Sequence, residues 1–325
     1  MDEKLWETLY EKILEGDILK VLSFVFEYVT QDDVLLNGSI KSICISCLLL
    51  AVLAGIFSAF TESFGSKEVS KMSCFMIYVL LFSILAKLFL DMQGVAENVL
   101  RSVIAVMNGA IPIYYIAIVS SGNGLTGYAY YRISILAIYI VEQLILHILL
   151  PFVSCYMIMS FGKAFWMEKR LSALTDFMKK IVEIILKTMV TVVSGIGFLQ
   201  SMVSPVVDGL KNETAQKAVA AIPGIGNLGE GMAELTIGSL VLIKNSVGVS
   251  IFMMLLVVAL MPVLELFLVS ILLKGCGALM AVIAEKELAG PVLDVSEAVG
   301  LLLKMVLAVL LLFVISMAIV MFTTT

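Results

Sequence analysis

Charge is scarce in this chain. Only 14% of its 325 residues are Asp, Glu, Lys or Arg, about half the share of a soluble domain. Histidine occurs once, tryptophan twice and proline six times. One histidine leaves no His-based metal cluster, and no Ser/His/Asp set or paired acidic site is visible in a soluble stretch, so the expectation is a protein that is not an enzyme and needs no cofactor. The 21 basic and 26 acidic residues give a net charge of -5, which excludes a global basic field and a nucleic-acid footprint. The five cysteines all lie in or beside apolar stretches. Cys44 and Cys47 form a C-x-x-C, but no second pair completes a tetrahedral site, and small apolar side chains in a helix explain them.

What the chain has in excess is apolar surface. Hydrophobic residues make up 61% of it, and the mean hydropathy is +1.08. Lipid is the solvent that suits such a composition, so the expected fold is all-α and polytopic. Apolar stretches long enough to span a bilayer lie at about 41–60, 72–90, 99–119, 132–160, 181–204, 247–272 and 298–322. That makes seven transmembrane helices. The stretches 132–160 and 247–272 carry Pro151 and Pro262 and are long enough to be kinked or split, which would raise the count to eight or nine.

The segment 1–38 is different. Leu5, Leu9, Ile13 and Leu14 recur at helical spacing among Glu3, Lys4, Glu7, Glu11 and Lys12, the pattern of an amphipathic helix that lies on a bilayer or packs on a partner. Two spans follow in 39–95. The most basic connection is 163–180, with Lys163, Lys169, Arg170, Lys179 and Lys180, and Trp166 as a headgroup-level anchor. Lys and Arg excess places it on the cytoplasmic side. Seven spans would then put the N-terminus inside and the C-terminus outside, whereas a split at Pro151 would reverse the N-terminal half.

The chain also looks duplicated, with 96–205 as a first unit and 206–325 as a second. Ala110-Ile111-Pro112 recurs as Ala221-Ile222-Pro223, and thirty-nine residues after each proline comes another, Pro151 and Pro262. At the same offset Gly127 matches Gly238 and Lys163 matches Lys274. Paired repeats with interrupted segments are a transporter architecture.

Ionisable groups inside spans are costly and mark pathways or buried pairs. The candidates here are Glu142, Gln143 and His147, with Gln143 and His147 on one helical face, and Glu265 beyond Pro262. Structural hydrogen bonding between helices is the competing explanation. Lys187 and Lys304 stand near span starts and read as snorkelling, and Glu183 is one turn from Lys187. The run Pro223, Gly224, Gly226, Gly229 and Gly231, within 221–231, lacks the G-x-x-x-x-G-K-S/T pattern of a phosphate loop. It reads as a gate or close-packed loop, tolerated at membrane depth where it is buried in protein or lines a cavity.

The stretch 215–248, AQKAVAAIPGIGNLGEGMAELTIGSLVLIKNSVG, together with SGIGFLQSM at 194–202 and the order of spans, resembles the stage III sporulation protein AE family of endospore-forming bacteria. The resemblance runs from about 40 to 325 and is sharpest from Ala215 to Gly248. It implies a multi-pass subunit, in the mother-cell membrane around the forespore, of a secretion-like channel complex. It implies as partners a secretion-type ATPase, ring-forming proteins, small membrane proteins and a forespore protein, Q, and it allows a homo-oligomer. It brings no catalytic residues. It also implies a signal sequence and a longer N-terminal region, whereas this sequence opens on the amphipathic segment; a removed leader would put residues 1–36 outside and favour the split at Pro151. The alternative expectation is a stand-alone secondary transporter built on inverted or parallel repeats.

Overall fold

A computed structural model describes residues 67–120, 124–163, 168–220, 226–283 and 286–323, with Ile45, Leu49 and Val52. The amphipathic segment 1–38, the pair Cys44 and Cys47, most of the expected span 41–60, Trp166, Pro223 and Gly224 lie outside the described residues. Every described element is helical: α1 (Lys67–Ser120), α2 (Gly124–Ile140), a π-helical segment (Val141–Leu149), α3 (Leu150–Gly162), α4 (Glu168–Ala220), α5 (Gly226–Ile283) and α6 (Lys286–Thr323). Among the described residues five stretches are long and apolar enough to cross a membrane: Phe75–Ser120, Gly127–Gly162, Leu171–Leu199, Ser246–Val282 and Ala289–Ala318.

The helices run through positions where the composition suggests connections. The expected spans 72–90 and 99–119 lie on one helix, α1, of 54 residues. The polar stretch between them, Asp91 to Asn98, holds no proline, and its Gly94 costs a helix only about 1 kcal/mol. Its Gln93 is also satisfied, because the Ser154 hydroxyl donates to it at 2.7 Å. The basic connection 163–180 likewise runs into α4, which continues past Pro205 to Ala220. Gly226, Gly229 and Gly231 fall in the opening turns of α5.

Pro151 acts on the helix before it. A proline lacks its N–H and its ring crowds the carbonyl four residues back. The chain takes this up in the π-helical segment Val141–Leu149, after which α3 starts with the proline in its first turn. Pro262, by contrast, sits within the 58 residues of α5.

The helices form two compact units. Of the described residues, the first gathers those up to Asn98 with those in Ile148–Ile184 and Leu260–Val306, and the second those in Val99–His147, Ile185–Ala259 and from Leu307 on. In the first unit α1 buries Tyr78, Leu81, Leu85, Leu88, Met92 and Ala96, a stripe at the three- and four-residue spacing of one helix face. From α6 it takes Val292, Val295, Val299, Leu302 and Val306 at the same spacing. Leu80, Leu90, Ile271 and Val282 are exposed, which suits a lipid environment far better than water.

The α5–α6 pairing in this unit uses small residues. The Ser270 hydroxyl donates to the Ser296 carbonyl at 3.1 Å, and the Ser296 hydroxyl donates back to the Ser270 carbonyl at 2.7 Å. Gly277 packs so closely that an added Cβ would stand 2.7 Å from Cδ2 of Leu293. Close backbone approach with hydroxyls bonded across the seam is how helices associate where lipid removes the hydrophobic driving force.

Candidate functional site, an ionic network among apolar helices

The most concentrated chemistry in the first unit comes from three helix faces. On α3, Tyr156, Ser160 and Lys163 are spaced four and three apart. On α4, Asp176, Lys179 and Glu183 are spaced three and four apart, and on α6 Asp294 and Glu297 are three apart. Such spacings put each set on one side of its helix.

The three faces meet. Lys163 reaches Asp294 at 3.4 Å, and both side chains are about four-fifths shielded, at 18% and 22% exposure. Lys179 reaches Glu297 at 2.9 Å. The Tyr156 hydroxyl also donates to Glu297, at 3.2 Å. The buried Ser160 stands beside Asp294, and Asp176 lies within electrostatic reach of Glu297's two partners. From α1, the Tyr78 hydroxyl donates to the carbonyl of Phe161, and its ring packs edge-on to Phe161. At the far end Lys304 on α6 donates to Glu183 on α4.

Three of the acids here, Asp294, Glu297 and Glu183, each have a cation at ion-pair distance, and the fourth, Asp176, is exposed. Pairing matters in an apolar surrounding, where one unpaired charge costs several kcal/mol. A set of acids and bases joined by hydroxyls can do two things. It can clip helices together in one register, and it can pass a proton between neighbouring groups when one pair opens.

The sequence candidates are distributed otherwise. Glu142, Gln143 and His147 lie on the π-helical segment in the second unit, with exposed side chains. Nδ1 of His147 is 2.7 Å from the carbonyl oxygen of Glu142, five residues back, so the imidazole is held by its own segment. Glu265 is in the first unit on α5, partly exposed, and is not in the network. Glu265 thus belongs to a different unit from Glu142, Gln143 and His147. Lys304, read from the sequence as a snorkelling side chain, engages Glu183, and Lys187 is exposed. Asp294, Glu297 and Tyr156 were not among the candidates. Their signal was present in the spacing, but Asp294 and Glu297 precede the apolar run from 298 and so look like connection.

The family model described as Stage III sporulation protein AE matches residues 3–324. Stage III sporulation protein AE of Bacillus subtilis (strain 168) is 22% identical over 260 residues, which cover 80% of this chain and 64% of that protein. This chain thus matches a little under two-thirds of the length of its curated relative. No solved structure matches it. A family match over nearly the whole length, on an all-helical chain with membrane-length apolar helices, places the protein in the stage III sporulation protein AE family.

Proposed function

We propose that this protein is an integral membrane subunit of the channel complex that joins mother cell and forespore. It would sit in the mother-cell membrane as a permease-like core or assembly platform, without enzymatic activity. The observation that carries the proposal is the family match from residue 3 to residue 324. The three ion pairs support a platform role, since they link α4 to α6 twice and α3 to α6 once and so favour one register of these helices. The test is isolation of the tagged chain from engulfing cells under mild detergent. The expected result is co-purification with the secretion-type ATPase, the ring-forming proteins and the forespore protein Q. Recovery of the chain free of all of them, from cells that make them, would sink the proposal.

The proposal includes seven crossings and an internal duplication. One feature of the fold supports the duplication: two of the boundaries between units, 147/148 and 259/260, fall just ahead of the matched prolines Pro151 and Pro262. This same feature favours the second reading, a secondary transporter of repeated halves. Glu142 and His147 are the groups such a transporter would use for coupling. Replacing both by Gln separates the readings: sporulation at the parental frequency speaks for the platform, and its loss with normal protein levels speaks for coupling.

A further inference from the structure

Four buried hydroxyls in the second unit have no hydrogen bond of ordinary geometry among the described residues: that of Ser194 on α4, and a group of three, Tyr114 on α1 with Tyr130 and Ser134 on α2. The residues of this group are 0%, 2% and 0% exposed. They are also close together. The rings of Tyr114 and Tyr130 meet edge to face with centroids 5.1 Å apart. Ser134 stands one turn beyond Tyr130 on the same face, and the two hydroxyls interact without reaching ordinary hydrogen-bond geometry. The third wall is α5 at Gly248, where an added Cβ would stand 3.2 Å from the Tyr114 hydroxyl oxygen.

A single orphaned hydroxyl in a packed interior costs about 1–3 kcal/mol. Three at one place are hard to explain as packing, because Phe and Ala would fill the same space without that cost. In the first unit the large hydroxyl-bearing side chains are satisfied, Tyr156 by Glu297 and Tyr78 by a backbone carbonyl, and a lone Ser160 has no hydrogen bond of ordinary geometry. A hydroxyl offers one proton and two lone pairs, and a buried water makes about three bonds to groups of this kind. The glycine matters for the same reason, since any side chain at 248 would press on the Tyr114 hydroxyl.

We propose that Tyr114, Tyr130 and Ser134, walled by Gly248, form a hydration site inside the second unit, with water as its ligand. It is a polar point within otherwise apolar helices, and it stands independently of the channel assignment.

The experiment is radiolytic hydroxyl-radical labelling of the full chain in lipid nanodiscs made up in ¹⁸O-water. Radicals born from a bound water modify the residues that hold it. Tyr114 and Tyr130 are expected to be modified several-fold faster than Phe313, an aromatic side chain of equal burial at 0% exposure. If both tyrosines are as unreactive as Phe313, the site is dry and the proposal is overturned. Tyr114→Phe gives a second reading on stability. In a hydrated site it removes a partner of the water, slows labelling of Tyr130 and lowers Tm. In a dry site it removes an orphan and raises Tm, which would also overturn the proposal. The labelling of the native chain stands on its own if the variant does not fold.

Discussion

The pair Lys163–Asp294 is the best place to weigh the ionic network. At 3.4 Å the gross attraction is about 5 kcal/mol with an effective dielectric constant near 20. Most of that is offset by the desolvation of two charges, so the pair as a whole adds little net stability. Breaking it is another matter. Asp294→Asn keeps the volume but leaves the Lys163 ammonium without its counter-charge, and Lys163→Met leaves the carboxylate alone. Loss of one partner from a buried pair costs about 3–5 kcal/mol, and the one-fifth exposure of these side chains brings the expected cost to about 2–3 kcal/mol each. The double variant removes both charges and should cost no more than either single one. The coupling energy is then about 2 kcal/mol. Equilibrium unfolding in mixed micelles with increasing SDS measures all four proteins. Strict additivity, with coupling under about 0.5 kcal/mol, would show that the two groups do not act as a pair and would refute the reasoning.

Three further outcomes are expected. Gly277→Ala should destabilise by about 1–3 kcal/mol, because its Cβ meets Leu293 at 2.7 Å, while Gly275→Ala, with nothing within 4 Å, should be neutral or stabilising by up to about 1 kcal/mol; SDS unfolding compares them. Ser296→Ala removes one of the two reciprocal bonds to Ser270 and should cost about 1 kcal/mol in the same assay, with a smaller effect from Ser316→Ala, whose hydroxyl bonds only within its own helix. The stretch Phe75–Ser120 has 46 residues and rises about 70 Å as a helix, more than twice the hydrocarbon core, so two crossings require a bend in 91–98. Gly94→Cys, at a position with open space around it, should then react with a membrane-impermeant maleimide, and protection of that thiol would argue against seven crossings.

Helix, lipid solvation and the family were legible in the sequence because each rests on local or averaged properties. Apolar runs, helical spacing and the stretch from Ala215 to Gly248 need no knowledge of what meets what. The disturbance at Pro151 was legible for the same reason, although its form as a π-helical segment was not. The continuity of α1 through 91–98 was hidden, because it depends in part on Ser154 satisfying Gln93 across 61 positions of sequence. The site was hidden in the same way. Lys179 and Glu297 are 118 positions apart, and Lys163 and Asp294 are 131 apart. Three- and four-residue spacing shows that each helix has a polar face, but only packing shows that the faces are turned toward one another.

The two units handle polarity by different physical means, and this difference bears on what each is suited to do. In the first unit the polar groups are charges paired at fixed distances, an arrangement that is costly to break and so favours one packing of α3, α4 and α6. In the second the fully buried ones include neutral hydroxyls at the meeting of α1, α2 and α5, where exchanging a water, as proposed, would cost far less than parting an ion pair. Gly248 belongs to both stories. It ends the segment on which the family resemblance is sharpest, and its missing side chain is what leaves the Tyr114 hydroxyl room. A glycine in the middle of a helix costs about 1 kcal/mol relative to alanine, and at 248 that cost comes with the close approach of Tyr114, whose Cε2 and hydroxyl oxygen would each stand 3.2 Å from an added Cβ. This approach ties the most distinctive stretch of the chain to the interior of its second unit.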